Sequence, residues 1–96
     1  MSSRTPEECI DLALNESATA ETRREAISEL KMANECDELE RLVRRESLDD
    51  RYRQQTLKAL ATPQCHSTLR GLVDEGALKE PLREDATELL ETVEDD

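Results

Sequence analysis

LDDRYRQQTLKALATPQCHSTLRGLVDEGA, residues 48–77, is copied on both sides of itself. Moved back by 30 positions, Arg53, Leu60, Leu69, Leu72 and Val73 land on Arg23, Leu30, Leu39, Leu42 and Val43. Moved forward by 30, Leu48, Arg53 and Leu60 land on Leu78, Arg83 and Leu90, with no gap in either direction. A fixed period of this size marks stacked repeats, in which each unit is too small to bury its own apolar face.

Working outward, the apolar spacing suits helices and not strands. Ala26, Ile27, Leu30 and Ala33 recur at a helical period, as do Leu39, Leu42 and Val43. Thr5-Pro6-Glu7-Glu8 is a helix start, with Thr5 as N-cap, Pro6 at the first helical position and Glu8 at the third. Thr19, Asn34 and Asp49 or Asp50 read as further N-caps, Thr62-Pro63 repeats the opening device, and Pro81 falls in the first turn of the last helix. Gly76 marks a helix end. The chain therefore divides into six expected helices: 6–16, 20–33, 35–46, 50–61, 63–75 and 80–94.

Two helix types alternate. One reads Arg-x-x-Ala/Thr-x-x-x-Leu, from Arg23 to Leu30, Arg53 to Leu60 and Arg83 to Leu90. The other reads Leu-x-x-Leu-Val, at Leu39–Val43 and Leu69–Val73, with a weaker copy at Cys9–Ala13. Short turns make neighbouring helices antiparallel. The expected fold is all-α, an α-solenoid of three antiparallel helical hairpins in a single domain spanning residues 1–96; a compact helical bundle is the alternative.

The segments Asp49-Asp50-x-Tyr52-Arg53-x-x-Thr56-Leu57-x-x-Leu60 and Leu69-x-x-Leu72-Val73 resemble short HEAT-like repeats, of the phycobilisome-lyase or armadillo-like kind. The resemblance spans about Pro6 to Val93. Thr56 stands where that pattern has a small Ala, the glycine after the first helix is missing, and the final unit lacks its second helix. What the resemblance implies is a curved stack used for protein contacts. It also implies that Arg23, Arg53 and Arg83 link adjacent units. No pocket residues match a chromophore lyase, so that activity does not transfer.

Composition restricts function. Leu, Ile and Val make up 14, 2 and 3 of the 96 residues, close to the roughly 20% level below which highly charged chains stay unfolded. Net charge is −11, from 24 acidic and 13 basic side chains, of which only Lys31, Lys58 and Lys79 are lysines. Such a surface repels nucleic-acid phosphates and anionic membranes, so neither is an expected partner. The acid-rich, lysine-poor balance resembles proteins of halophilic archaea, whose concentrated salt screens self-repulsion beyond about 3 Å. No run reaches the roughly 20 apolar residues of a membrane span, and MSSRTPEE lacks the apolar core of a signal peptide, so the chain reads as cytoplasmic.

Three cysteines in a cytosolic chain read as free thiols. Cys36, Cys65 and His66 are the only residues with the chemistry of a metal or thiol site, and they are weak candidates: zinc wants four ligands and commonly a Cys-x-x-Cys pair. Cys9 sits in the register of Leu39 and Leu69 and reads as an apolar filler. No nucleophile–base pair or shared carboxylate pocket is evident, so the chain reads as non-catalytic and free of cofactors. Asp50 and Glu80, three residues before Arg53 and Arg83, give those arginines helix-stabilising partners. The expected partner is another protein or a second copy of the chain, docked through solenoid ends that carry Leu12, Leu14, Leu82, Leu89 and Val93.

Overall fold

Thr5 opens the first helix as its spacing requires. Its hydroxyl accepts from the Glu8 amide at 3.1 Å, and its own amide donates to the Glu8 carboxylate at 2.7 Å. Thr19 caps the second helix through the Thr22 amide at 3.1 Å. The computed structural model describes residues 4–94. Among these are six helices and no strand: α1 Pro6–Leu14, α2 Ala20–Met32, α3 Cys36–Val43, α4 Asp50–Leu60, α5 His66–Asp74 and α6 Leu82–Glu94. None is long and apolar enough to cross a membrane.

Several boundaries differ from expectation, each for a local reason. Asn34 is not the N-cap of α3. It takes a left-handed φ of 56° and closes α2 instead, with Asn34 N–H donating to the Lys31 carbonyl and Glu35 N–H to that of Leu30. Asn tolerates this conformation better than most residues. Gly76, at φ 64°, closes α5 by the same pair of bonds, Gly76 to Val73 and Ala77 to Leu72. The α5 helix starts at His66 and not at Pro63. Thr62 closes a preceding turn by accepting from the Cys65 amide through both its carbonyl and its hydroxyl. Pro81 lies one residue before α6, where its carbonyl accepts the Asp85 amide. The α3 helix stops at Val43, which leaves Arg44 as its C-cap.

Consecutive helices pair most extensively as α1 with α2 and α3 with α4, followed by α5 with α6. Across these pairs α2, α4 and α6 adjoin in series, and α1, α3 and α5 form the facing series. The core lies between the two rows. Leu30, Leu60, Leu39, Leu69, Leu42 and Leu72 are almost fully buried there, while Leu90 in the last helix keeps 8% of its surface exposed. Leu48 and Leu78, in the turns before α4 and α6, are buried alike. The radius of gyration is 12.7 Å, against about 12.5 Å for an ordinary compact domain of this length. The principal extents of the molecule are 37 × 26 × 18 Å.

Candidate functional site

Arg23 and Arg53 are each the fourth residue of their helix, and both are buried. The Nε of Arg23 donates to the Ala13 carbonyl at 2.9 Å, and that of Arg53 to the Val43 carbonyl at 2.8 Å. Each therefore satisfies a carbonyl in the last turn of the preceding helix, ten residues back, where a cation also complements the helix dipole. Arg23 further stacks on Tyr52 of α4, its guanidinium carbon 4.3 Å from the ring centre, and Arg51 lies 4.7 Å from the same ring. The Tyr52 hydroxyl is buried without a hydrogen-bond partner.

Arg83 does not follow. It is the second residue of α6 because that helix begins later than its counterparts, and its side chain is exposed beside Glu80 at 3.6 Å. Arg53 has the corresponding neighbour, Asp50, at 3.9 Å. The arginines thus form two buried staples and one surface pair, and no ladder open to a ligand.

Cys36 and Cys65 are not free thiols. They form a disulfide, with Cα atoms 5.4 Å apart and 29 residues between them in sequence. Cys36 is the first residue of α3 and Cys65 the N-cap of α5, and neither helix start carries a side-chain cap. With both sulfurs in the bond, neither is a thiolate able to ligate a metal. His66 turns elsewhere: its Nε2 lies 2.8 Å from the Glu94 carboxylate, which Arg70 also contacts. The His66 hydrogen bond, followed by the charge of Arg70, holds the Glu94 carboxyl below its ordinary value. The cluster ties α5 to the end of α6. Among the described residues no three His, Cys, Asp or Glu side chains gather into a metal-holding group.

Cys9 is free and buried. Burial pushes its thiol pKa up, and the neighbouring Glu29 adds to the shift. Glu29 in turn is paired with Arg4. A thiol kept protonated in this way is a poor nucleophile.

The sequence reading also missed a cation pair. Lys31 of α2 and Lys58 of α4 border one cleft of about 240 Å³, with Ile27, Ser28, Gln55 and Ala59. Distant in sequence, they meet only because α2 and α4 adjoin. The apolar residues assigned to the chain ends divide: Leu82 is buried, whereas Leu12, Leu14, Leu89 and Val93 are half-buried. Met32 is 82% exposed, the one large hydrophobic residue so exposed among those described. No family model matches this chain, and no curated protein or solved structure does either.

Proposed function

We propose that the chain is a short HEAT-like α-solenoid that acts as a non-catalytic protein-binding or scaffold module, built for a salt-rich cytosol. Support for the stack comes from equivalent devices one repeat apart: the Arg23 and Arg53 staples, and the buried turn leucines Leu48 and Leu78. A compact helical bundle would use the same six helices. The function rests on one observation: Leu12 and Leu14 in the first hairpin and Leu89 in the last pack beside the core yet keep part of their surface exposed, Leu89 toward the cleft between α4 and α6, and Val93 is likewise only partly covered. Apolar side chains left partly uncovered at both ends of a repeat array are surfaces for another protein or a second copy of the chain. Sedimentation equilibrium in molar salt tests the self-association form. The expected result is a dimer that the double substitution Leu14→Glu, Leu89→Glu converts to monomer. A wild-type monomer at every concentration sinks it.

The disulfide favours a second reading, a thiol-responsive clasp between α3 and α5. An external dithiol would reduce the Cys36–Cys65 bond to two thiols and become a disulfide itself, passing two electrons and two protons to the chain. Disulfides are rare where glutathione keeps thiols reduced, so a bond that cycles has a natural role there. Alkylation at the moment of lysis, before and after an oxidant challenge, tests this. Cys36 and Cys65 should be modified in one state and protected in the other, and equal modification in both eliminates the clasp.

A further inference from the structure

The outer cleft between α2 and α4 joins three features that share no other place in the fold. It holds Lys31 and Lys58, two of the three lysines in a chain of net charge −11. Among the described residues neither is ion-paired, although 24 carboxylates are present in the sequence, whereas Lys79 approaches Glu46 at 4.0 Å. Gln55 lines the same cleft. Its Nε2 donates to the Arg24 carbonyl at 3.1 Å, which leaves its buried Oε1 as an acceptor without a donor. The floor is apolar, formed by Ile27 and Ala59.

We propose that this cleft captures a carboxylate-bearing extended segment of a partner protein. Its carboxylate sits between Lys31 and Lys58, and one of its backbone N–H groups reaches Gln55 Oε1 after a small rotation of that side chain. The proposal rests on the protein-binding reading above and names the chemistry of the partner. A carboxylate alone answers the lysines but offers Gln55 no donor; a peptide supplies both groups. A nucleic acid fits worse, because repulsion from the net negative charge grows with every phosphate, while a segment with one or two carboxylates bears little of it. On the other side of α4, Lys58 also borders a cleft containing Asp85 and Glu88, and Gln54 Nε2 already engages Asp85 at 3.0 Å. Among the described residues Lys58 makes no ion pair with either carboxylate, although Glu88 in that cleft competes with a ligand for it.

The test is fluorescence anisotropy with a fluorescein-labelled, end-blocked peptide of alanine and leucine around a single glutamate. It is run at a salt concentration where circular dichroism shows the protein folded. Saturable binding is expected, weakened by about tenfold or more in the Lys31→Gln, Lys58→Gln double variant and unchanged in Lys79→Gln. The same peptide with glutamine for glutamate should bind no better than the double variant does. The proposal is overturned by no saturable binding, by equal weakening in Lys79→Gln, or by tighter binding of a labelled single-stranded oligonucleotide at the same two lysines. Failure here with the dimer intact removes the cleft and leaves the end-to-end reading standing.

Discussion

Arg23 donates to the carbonyl of Ala13 while its guanidinium lies over the ring of Tyr52, 4.3 Å from the centre. One buried side chain thus ties the first helix to the second and the second to the fourth. Its removal leaves a carbonyl unsatisfied and a tyrosine unstacked. Arg23→Met should cost about 1–3 kcal/mol for the lost charged hydrogen bond, with a further contribution of about 0.5–2 kcal/mol from the ring. Arg53→Met should cost about 1–3 kcal/mol through the same bond to Val43. The exposed Arg83→Met should stay within about 0.5 kcal/mol. Urea midpoints of the three variants give the order directly, and equal losses would mean that the staples play no special part.

Leu60 and Leu72 lie fully buried on opposite rows of helices. Truncation to alanine removes transfer free energy and leaves a void, so each variant should lose about 2–5 kcal/mol. Val73→Ala, at a half-buried position, should lose less. A loss below about 1 kcal/mol for either leucine contradicts the core described here.

The Cys36–Cys65 bond closes a loop of 29 residues in sequence separation. Restricting the unfolded chain by that much corresponds to about 3–4 kcal/mol, so Cys36→Ser, Cys65→Ser should lower the denaturation midpoint markedly. Adding a reductant should do the same to the wild type and nothing further to the variant. Thiol titration of the unfolded, unreduced chain should count one thiol, that of Cys9.

Glu94 titrates below its ordinary value because His66, and then Arg70, favour the carboxylate. A carboxyl whose pKa is depressed by folding contributes stability above its unfolded pKa, and that contribution fades as pH falls through the folded value. The Glu94 contribution is therefore present above the unfolded carboxylate pKa and is lost as pH falls through the lower folded value. Carbon-13 detection of the Glu94 carboxyl should show a midpoint lower than that of an unstructured glutamate. His66→Ala should move it upward.

Dilution from molar to low salt should reduce helicity, since a net charge of −11 on so small a chain repels itself once screening is lost. Circular dichroism across a potassium chloride series checks this. Helicity independent of salt would argue against a protein adapted to concentrated electrolyte.

Much of the architecture was readable before any coordinates. The 30-residue period and the helical spacing of apolar residues place six helices and name most of their inward faces, although Ala33, expected inside, is the exposed C-cap of α2. This works because a repeat unit presents the same short-range physics in each copy: a cap, a stripe and a stop. Reading failed where one residue type serves two local uses. Asn34 begins helices as readily as it ends them, and only the left-handed φ shows which occurred. Thr62-Pro63 carries a start signal, yet the helix waits until His66. Arg83 shares a register with Arg53 but lies two residues nearer the start of its helix, so equal spacing gave unequal environments.

What the sequence determined by itself is the helical class, the period and the buried stripe, since each depends on residues within a turn or two of one another. Which groups meet between distant helices was decided only by tertiary packing. Cys36 and Cys65 become bonded, and Lys31 and Lys58 come to border one cleft, because α3 adjoins α5 and α2 adjoins α4. Such pairings depend on how far one helix turns and slides against the next. No local propensity encodes that quantity, and it is set by the close packing of the whole interior.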